Sequence, residues 1–216
     1  LLEEMAKTVG EFAIAGEAEL AAAHELLKAR ATKRRIEVEQ TRRESITEVL
    51  GVLAESGLAK GVHTDQESFD ARLKQGKGIK TWLTSTDEVW GFTDGSEIWL
   101  NPKTARLETP IHEYGHLGIE MCKKVNRDVY ERGVAIAKET KLFKEISKND
   151  AYKNDSEAAR AEEVLATIIG KRGEEALKGA PETLRARVKE WLVDFWKAFG
   201  QALGLREITP ERAAEM

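Results

Sequence analysis

The stretch Thr109–His116, with the sequence TPIHEYGH, decides the fold because it places two histidines four residues apart in a predicted helix. Residues at i and i+4 lie on one helix face, so the imidazoles of His112 and His116 can bind one ion about 2 Å away. Glu113, rotated by about 100° on the same helix, can reach the open side of that ion. This HExxH spacing is typical of catalytic zinc, with the glutamate as general base. The alternative is a pair of helix-face histidines bonded to neighbouring groups.

The helix that carries this motif is predicted to begin at Thr109 and Pro110 and to run to about Lys124. The extended form of the motif has a glycine three residues and a third ligand six residues after the second histidine, but this chain has Ile119 and Cys122 there. Without a glycine the helix continues, which leaves Cys122 roughly 9 Å along the axis from His116. We therefore predict that Cys122 is a small buried residue, that Glu120 is equally out of reach, and that another helix supplies the third ligand.

A β-hairpin is predicted ahead of this helix. Residues 88–93 (EVWGFT) and 97–100 (EIWL) carry aromatic residues at alternating positions around the turn pair Asp94-Gly95. Gly61–His63 can form a further short strand, followed by a helix whose capping box would be Thr64–Glu67. The rest of the chain is predicted to be helical, with a new helix at Ser45, long helices before it, and later helices near 126–146, 155–171 and 181–204. The sequence therefore predicts a predominantly helical α+β fold, in which a small sheet packs on the HExxH helix between N- and C-terminal helices.

Three segments are predicted along the chain. Residues 1–59 form a helical extension, residues 60–208 form the domain that carries the motif, and residues 209–216 start a following segment. The chain begins at Leu1 without a methionine and ends in a fresh helical start at Thr209–Glu211. We expect it to be part of a longer polypeptide.

Composition restricts the compartment and the partners. The 216 residues carry a net charge of -4 and one cysteine, which argues against a disulfide framework and favours the cytoplasm. No apolar run of about 18 residues is present, so no membrane span is expected. The stretch Lys28–Glu44 has seven basic and three acidic residues, but their mixing predicts a solvated helix face, and nucleic-acid binding is not expected.

The third metal ligand is expected from the segment EEVLA at residues 162–166. HExxH followed at a distance by ExxA resembles the gluzincin-type zinc metallopeptidases, in which the second glutamate completes the metal site and the alanine lets its helix approach the first. The matching residues are His112, Glu113, His116, Glu163 and Ala166. Together, IWLNP, TPIHEYGH and EEVLA are further similar to the zincin domains of polyvalent phage or mobile-element proteins and of antirestriction-type proteins. The resemblance covers about residues 60–170.

This resemblance implies a zincin-like fold, zinc as the cofactor, and a peptide or protein substrate. It assigns the metal to His112, His116 and Glu163, with Glu113 as general base and proton donor. The residues themselves leave Glu162 in competition with Glu163, because Glu162 lies nearer the centre of the apolar arc of its helix. Thr167 stands where many family members have an acidic residue that orients the first histidine, which leaves that orienting contact unassigned.

The resemblance also implies a group that stabilises the oxyanion formed on the substrate carbonyl. Tyr152 is the first candidate, although a loop tyrosine can equally pack by its ring. Weaker candidates are Tyr130, His63 and Arg160, whereas His24 is expected to face solvent.

The aromatic residues support two further predictions. The strand at residues 96–100 is expected to be an edge strand that pairs with an extended peptide, while Trp90, Phe92 and Trp99 either line a subsite or pack the sheet on helices. Trp191, Phe195, Trp196 and Phe199 recur at helical spacing and are expected in the core or at an interface, not in a cofactor site. The alternative to a peptidase is a non-catalytic helical scaffold with a structural or vestigial metal site.

Overall fold

The structure is a computed structural model that describes residues 17–76, 80–83, 89–178 and 183–202. Its contacts divide the chain into residues 1–44 and residues 45–216. The first hairpin residue, Glu88, and the segment predicted from residue 209 lie outside the described residues. The predicted domain boundary after residue 59 stays a prediction.

Helices dominate the described residues, and the strands form one small sheet. The predominantly helical α+β prediction is therefore confirmed. The elements are α1 (Glu17–Glu55), β1 (Gly61–His63), α2 (Gln66–Gln75), β2 (Lys80–Leu83), β3 (Val89–Thr93), β4 (Glu97–Leu100), α3 (Glu108–Val125), α4 (Arg127–Glu139), α5 (Lys141–Ile146), a 3₁₀ turn (Asp150–Tyr152), α6 (Glu157–Leu177) and α7 (Leu184–Ala202).

Helix α1 runs through Ser45, so the prediction of a new helix there is wrong. Residues 17–50 contain neither proline nor glycine, so no residue in this stretch favours a break in the helix. The backbone amides near Ser45 already bond within the helix, and a capping box has none left to satisfy. Between residues 28 and 44 the helix is mostly exposed and carries intrahelical ion pairs such as Lys33–Glu37 and Arg43–Glu39. Such pairs fit a solvated face.

Several helix ends differ from prediction, and α6 runs to Leu177, six residues beyond the predicted end at 171. Asp65, rather than Thr64, caps α2 by accepting a 2.7 Å hydrogen bond from the Ser68 amide. The HExxH helix begins at Glu108, and the Thr109 hydroxyl accepts a hydrogen bond from the Arg106 amide instead of capping the helix. The helix predicted at 126–146 is broken at Thr140, whose hydroxyl caps α5.

The predicted hairpin is the centre of a four-stranded sheet with the order β1-β4-β3-β2. Strands β3 and β4 are antiparallel, with Phe92 opposite Trp99, and β1 pairs in parallel with β4. Strand β4 is therefore an interior strand, and the prediction that it offers an edge to a peptide is wrong. The reason is long-range, because the short segment Gly61–His63 occupies that edge.

The two faces of the sheet pack on different helices. Ile98 and Leu100 belong to the main core with residues of α3, whereas Phe92 and Trp99 pack against Phe69 of α2. The packing role predicted for these two aromatics is confirmed. Trp90 is half-buried, with the Arg106 guanidinium 3.9 Å from its ring centroid.

The C-terminal aromatics surround Tyr114 in the main core, as predicted. The Trp196 indole N–H donates a 3.0 Å hydrogen bond to the Tyr114 hydroxyl, which lies 2.9 Å from the Ser56 hydroxyl. Because Ser56 donates to the Leu53 carbonyl, the Tyr114 hydroxyl is the donor toward Ser56. This chain of bonds fixes the middle of α3 to the end of α1 and to α7.

Helix α6 packs closely on α3 because small residues face the contact. A Cβ added at Gly170 would lie 3.0 Å from the His112 Cβ, and one added at Gly173 would lie 2.6 Å from the Ile111 Cγ2. Ala166, one turn before Gly170, is fully buried. Among the described residues, no helix is long and apolar enough to cross a membrane.

The glycine contact predicts opposite effects for two Gly→Ala substitutions. Gly173→Ala should lower the free energy of unfolding by about 1–2 kcal/mol, because the new methyl group overlaps the buried Ile111 side chain. Gly51→Ala is the matched control in α1, where a Cβ meets nothing within 4 Å, and it should raise stability by up to about 1 kcal/mol. Urea unfolding of both variants measures the difference, and equal effects would contradict the close contact.

Candidate functional site

Helices α3 and α6, both within residues 45–216, bring the site together. His112 and His116 lie one turn apart on α3, and Glu163 lies on α6, within the segment that packs on α3. The three side chains form the cluster of potential metal ligands found among the described residues. All three are buried.

The ligand groups of the three side chains form a compact ligand triangle. The Nε2 atoms of His112 and His116 are 3.1 Å apart. Oε1 of Glu163 lies 3.3 Å from the His112 Nε2, and Oε2 of Glu163 lies 3.3 Å from the His116 Nε2. An ion held tetrahedrally at 2.0–2.1 Å separates its ligands by roughly 3.3–3.4 Å. Each carboxylate oxygen is therefore spaced from one histidine as two ligands of such an ion would be.

The charge states of His112 and Glu163 suit a cation. Burial lowers the pKa of His112, which keeps the imidazole neutral. Burial opposes ionisation of Glu163, but the interactions with His112 and His116 outweigh it and lower its pKa to about 2. Neutral imidazoles and an ionised carboxylate are the forms that bind metal, and without a positive charge between them their lone pairs repel.

Glu113 lies beside the cluster but is not part of it. Its side chain is fully buried, and neither carboxylate oxygen has a hydrogen-bond partner among the described residues. Burial, and then the charge of Glu163, raises its pKa well above the usual value. A buried carboxylate without a partner is costly, so its presence needs a functional explanation.

Strand β3 makes room for this carboxylate. A Cβ added at Gly91 would lie 3.1 Å from Oε1 of Glu113 and 2.9 Å from the Thr109 Cγ2. The sheet therefore approaches the HExxH helix at the point where Glu113 emerges. Sequence analysis missed Gly91, although a glycine inside a strand is a signal of close approach.

Tyr152 lies next to the third candidate ligand. Its hydroxyl donates a 3.4 Å hydrogen bond to Oε1 of Glu163, and its ring is buried. Arg160 donates a 3.4 Å hydrogen bond to the Tyr152 carbonyl oxygen. The tyrosine is thus within reach of groups bound at the cluster, and its role as oxyanion stabiliser stays a prediction.

The other predicted candidates have different surroundings. The Tyr130 hydroxyl bonds to Glu162, and the His63 ring stacks on Trp99 while its Nε2 lies 3.3 Å from Glu97. Cys122 is buried, as predicted, and burial raises its pKa. His24 is exposed, also as predicted.

The two adjacent glutamates of α6 point to different partners. Glu163 faces the histidines, whereas the Glu162 carboxylate accepts hydrogen bonds from Tyr130 and Lys123. Sequence analysis could see that a buried Glu162 needs a partner but could not identify one. Thr167 is buried one turn after Glu163, and Nδ1 of His116 has no hydrogen-bond partner in the described part of the chain.

Comparisons of this chain with protein-family models, curated proteins and solved structures found no match. The site is therefore interpreted from its own geometry.

The unpartnered Glu113 carboxylate predicts a stabilising substitution. Glu113→Gln should raise the free energy of unfolding of the metal-free protein by about 1–2 kcal/mol at neutral pH, because the raised pKa of Glu113 makes folding cost the uptake of a proton, and an uncharged glutamine has no such cost. Glu139→Gln, on an exposed position of α4, should leave stability unchanged. Unfolding in urea with a chelator present measures both. A less stable Glu113→Gln would show that the carboxylate is satisfied in the folded protein.

Proposed function

We propose that this chain contains a zinc-dependent peptide hydrolase with a zincin-like arrangement. The observation that carries the proposal is the ligand triangle of His112, His116 and Glu163 beside the unpartnered carboxylate of Glu113. Two imidazoles and a carboxylate suit zinc and leave a fourth position open. An adjacent buried base that is not a ligand is what hydrolysis requires.

Each residue has a role that its position permits. A bound zinc ion supplies Lewis acidity for a substrate carbonyl and lowers the pKa of water. Glu113 accepts the proton of the attacking water and passes it to the departing amine, and its raised pKa suits both transfers. Tyr152 donates a hydrogen bond toward the substrate oxygen on which negative charge develops.

The proposed substrate is an extended peptide segment of a protein, and the chain would act in the cytoplasm as part of a larger phage or mobile-element protein. Strand β4 lies inside the sheet and cannot pair with a peptide. Among the described strands, β2 is the edge strand next to β3, so we propose that the peptide pairs with β2. Main-chain pairing of this kind tolerates many sequences.

A second candidate function is a scaffold domain with a closed, structural metal site. The observation that favours it is burial, since His112 and Glu113 are 0% exposed and His116 is 2% exposed. A structural site, however, has no use for an unliganded carboxylate next to its histidines. Metal content and turnover together separate the two candidates.

The proposal predicts one zinc per chain and loss of metal on removal of a ligand. Elemental analysis of the protein purified without added metal should find zinc in the wild type and in Glu113→Gln, but not in His116→Ala or Glu163→Ala, because only the last two remove ligands. His24→Ala, which changes an exposed histidine, is the matched control and should retain zinc.

A peptide-library assay then tests catalysis. The wild type should cleave peptides, and Glu113→Gln should lose at least about 100-fold in kcat with zinc still bound, because the general base is missing. Zinc in the wild type without any cleavage would favour the scaffold. A folded wild type that binds no divalent metal would overturn the hydrolase and leave a scaffold with a vestigial metal site.

A further inference from the structure

A second buried carboxylate lies beside the candidate ligand on α6. Glu162 is 4% exposed and belongs to no part of the ligand triangle. Its Oε1 accepts a 2.6 Å hydrogen bond from the Tyr130 hydroxyl and a 3.1 Å hydrogen bond from Nζ of Lys123. Tyr130 is on α4, and Lys123 is in the last turn of α3. One carboxylate therefore joins α6 to both helices at their shared corner.

The hydrogen bonds that Glu162 accepts are directional, and the bond from Tyr130 is short. A separation of 2.6 Å is in the range of charge-assisted O–H···O⁻ bonds. Burial, and then Glu162 itself, raises the pKa of Tyr130, so the phenol keeps the proton that it donates. The Lys123 ammonium also lies 5.3 Å from the Tyr130 ring centroid, within cation–π distance. The three side chains thus hold one another in place.

The position of Glu162 fixes the rotation of α6 about its own axis. Adjacent helix residues are about 100° apart, so the direction of the Glu162 side chain determines that of Glu163. A rotation of about 10° moves a carboxylate near the helix surface by roughly 1 Å. Metal–ligand distances tolerate only about 0.2 Å.

The glycine contacts between α3 and α6 allow the two helices to approach closely. Gly115 lies against Ile169, and Gly170 lies against His112. Such apolar contacts are non-directional. The hydrogen bonds of Glu162 are directional, and they add a restraint on the rotation of α6 next to Glu163.

We propose that Glu162, held by Tyr130 and Lys123, is a positioning residue that keeps the Glu163 carboxylate aligned with His112 and His116 for a divalent cation. The inference rests on the proposed metal site. The two adjacent acids then have separate roles: Glu162 fixes the rotation of α6, and Glu163 binds the ion.

The test compares metal binding in Glu162→Met and Tyr130→Phe with the wild type. Zinc affinity, measured by competition with a chromophoric chelator, should fall about 10- to 100-fold in Glu162→Met and by a smaller factor in Tyr130→Phe, because the ligand loses its alignment. The visible absorption bands of the cobalt(II)-loaded variants should shift and weaken. Glu157→Gln, an exposed acid on the same helix that pairs with Lys138, is the matched control and should behave as the wild type.

A double variant separates positioning from packing. Glu162→Met combined with Tyr130→Phe replaces the buried polar pair with apolar groups, which commonly restores stability. The free energy of unfolding should be higher in the double variant than in Glu162→Met and close to that of the wild type. Its zinc affinity and cobalt spectrum should still differ from those of the wild type. Recovery of all three would assign the network to packing and overturn the proposal.

Other outcomes distinguish this inference from the proposed function. A wild type that binds zinc, together with folded Glu162→Met and Tyr130→Phe of unchanged affinity and spectrum, would overturn the positioning role alone. A wild type that binds no divalent metal would overturn the metal site itself. Tyr130→Phe keeps the ring and its packing, so it carries the test if Glu162→Met does not fold.

Discussion

The close approach of α6 to α3 is the constraint on which the rest of the structure depends. It is possible only because Gly170 and Gly173 present no side chain where His112 and Ile111 lie. A shared helix face supplies two candidate ligands by itself, but a carboxylate with one oxygen 3.3 Å from each histidine requires a second helix at short range. The absence of side chains at the two glycines thus allows Glu163 to approach the two histidines.

This arrangement concentrates groups that do not stabilise one another. Two imidazole nitrogens and a carboxylate converge, and a further carboxylate at Glu113 is buried without a hydrogen bond among the described residues. Such groups destabilise a fold unless the surrounding packing holds them. The apolar core around Tyr114, with its hydrogen bonds to Ser56 and Trp196, provides that support.

Local sequence patterns predicted most helices and strands, whereas the errors arose where the surrounding structure overrides a local pattern. The hairpin and the HExxH helix follow from alternation, turn residues and helical spacing, which are properties of neighbouring residues. The capping-box pattern at Ser45 failed because a helix already in progress has no free amides to cap. The edge prediction for β4 failed because no local pattern shows that Gly61–His63 pairs beside it.

The sequence by itself determined the two histidines, their common helix face and the adjacent Glu113, because four-residue spacing fixes geometry within one helix. It also made Glu162 and Glu163 the leading candidates for the third ligand. Only the tertiary structure decided between them, since the choice depends on how α6 is rotated against α3 and α4. Glu163 meets the histidines and Glu162 meets Tyr130 and Lys123 because those partners come from separate helices, whose relative placement no local periodicity contains.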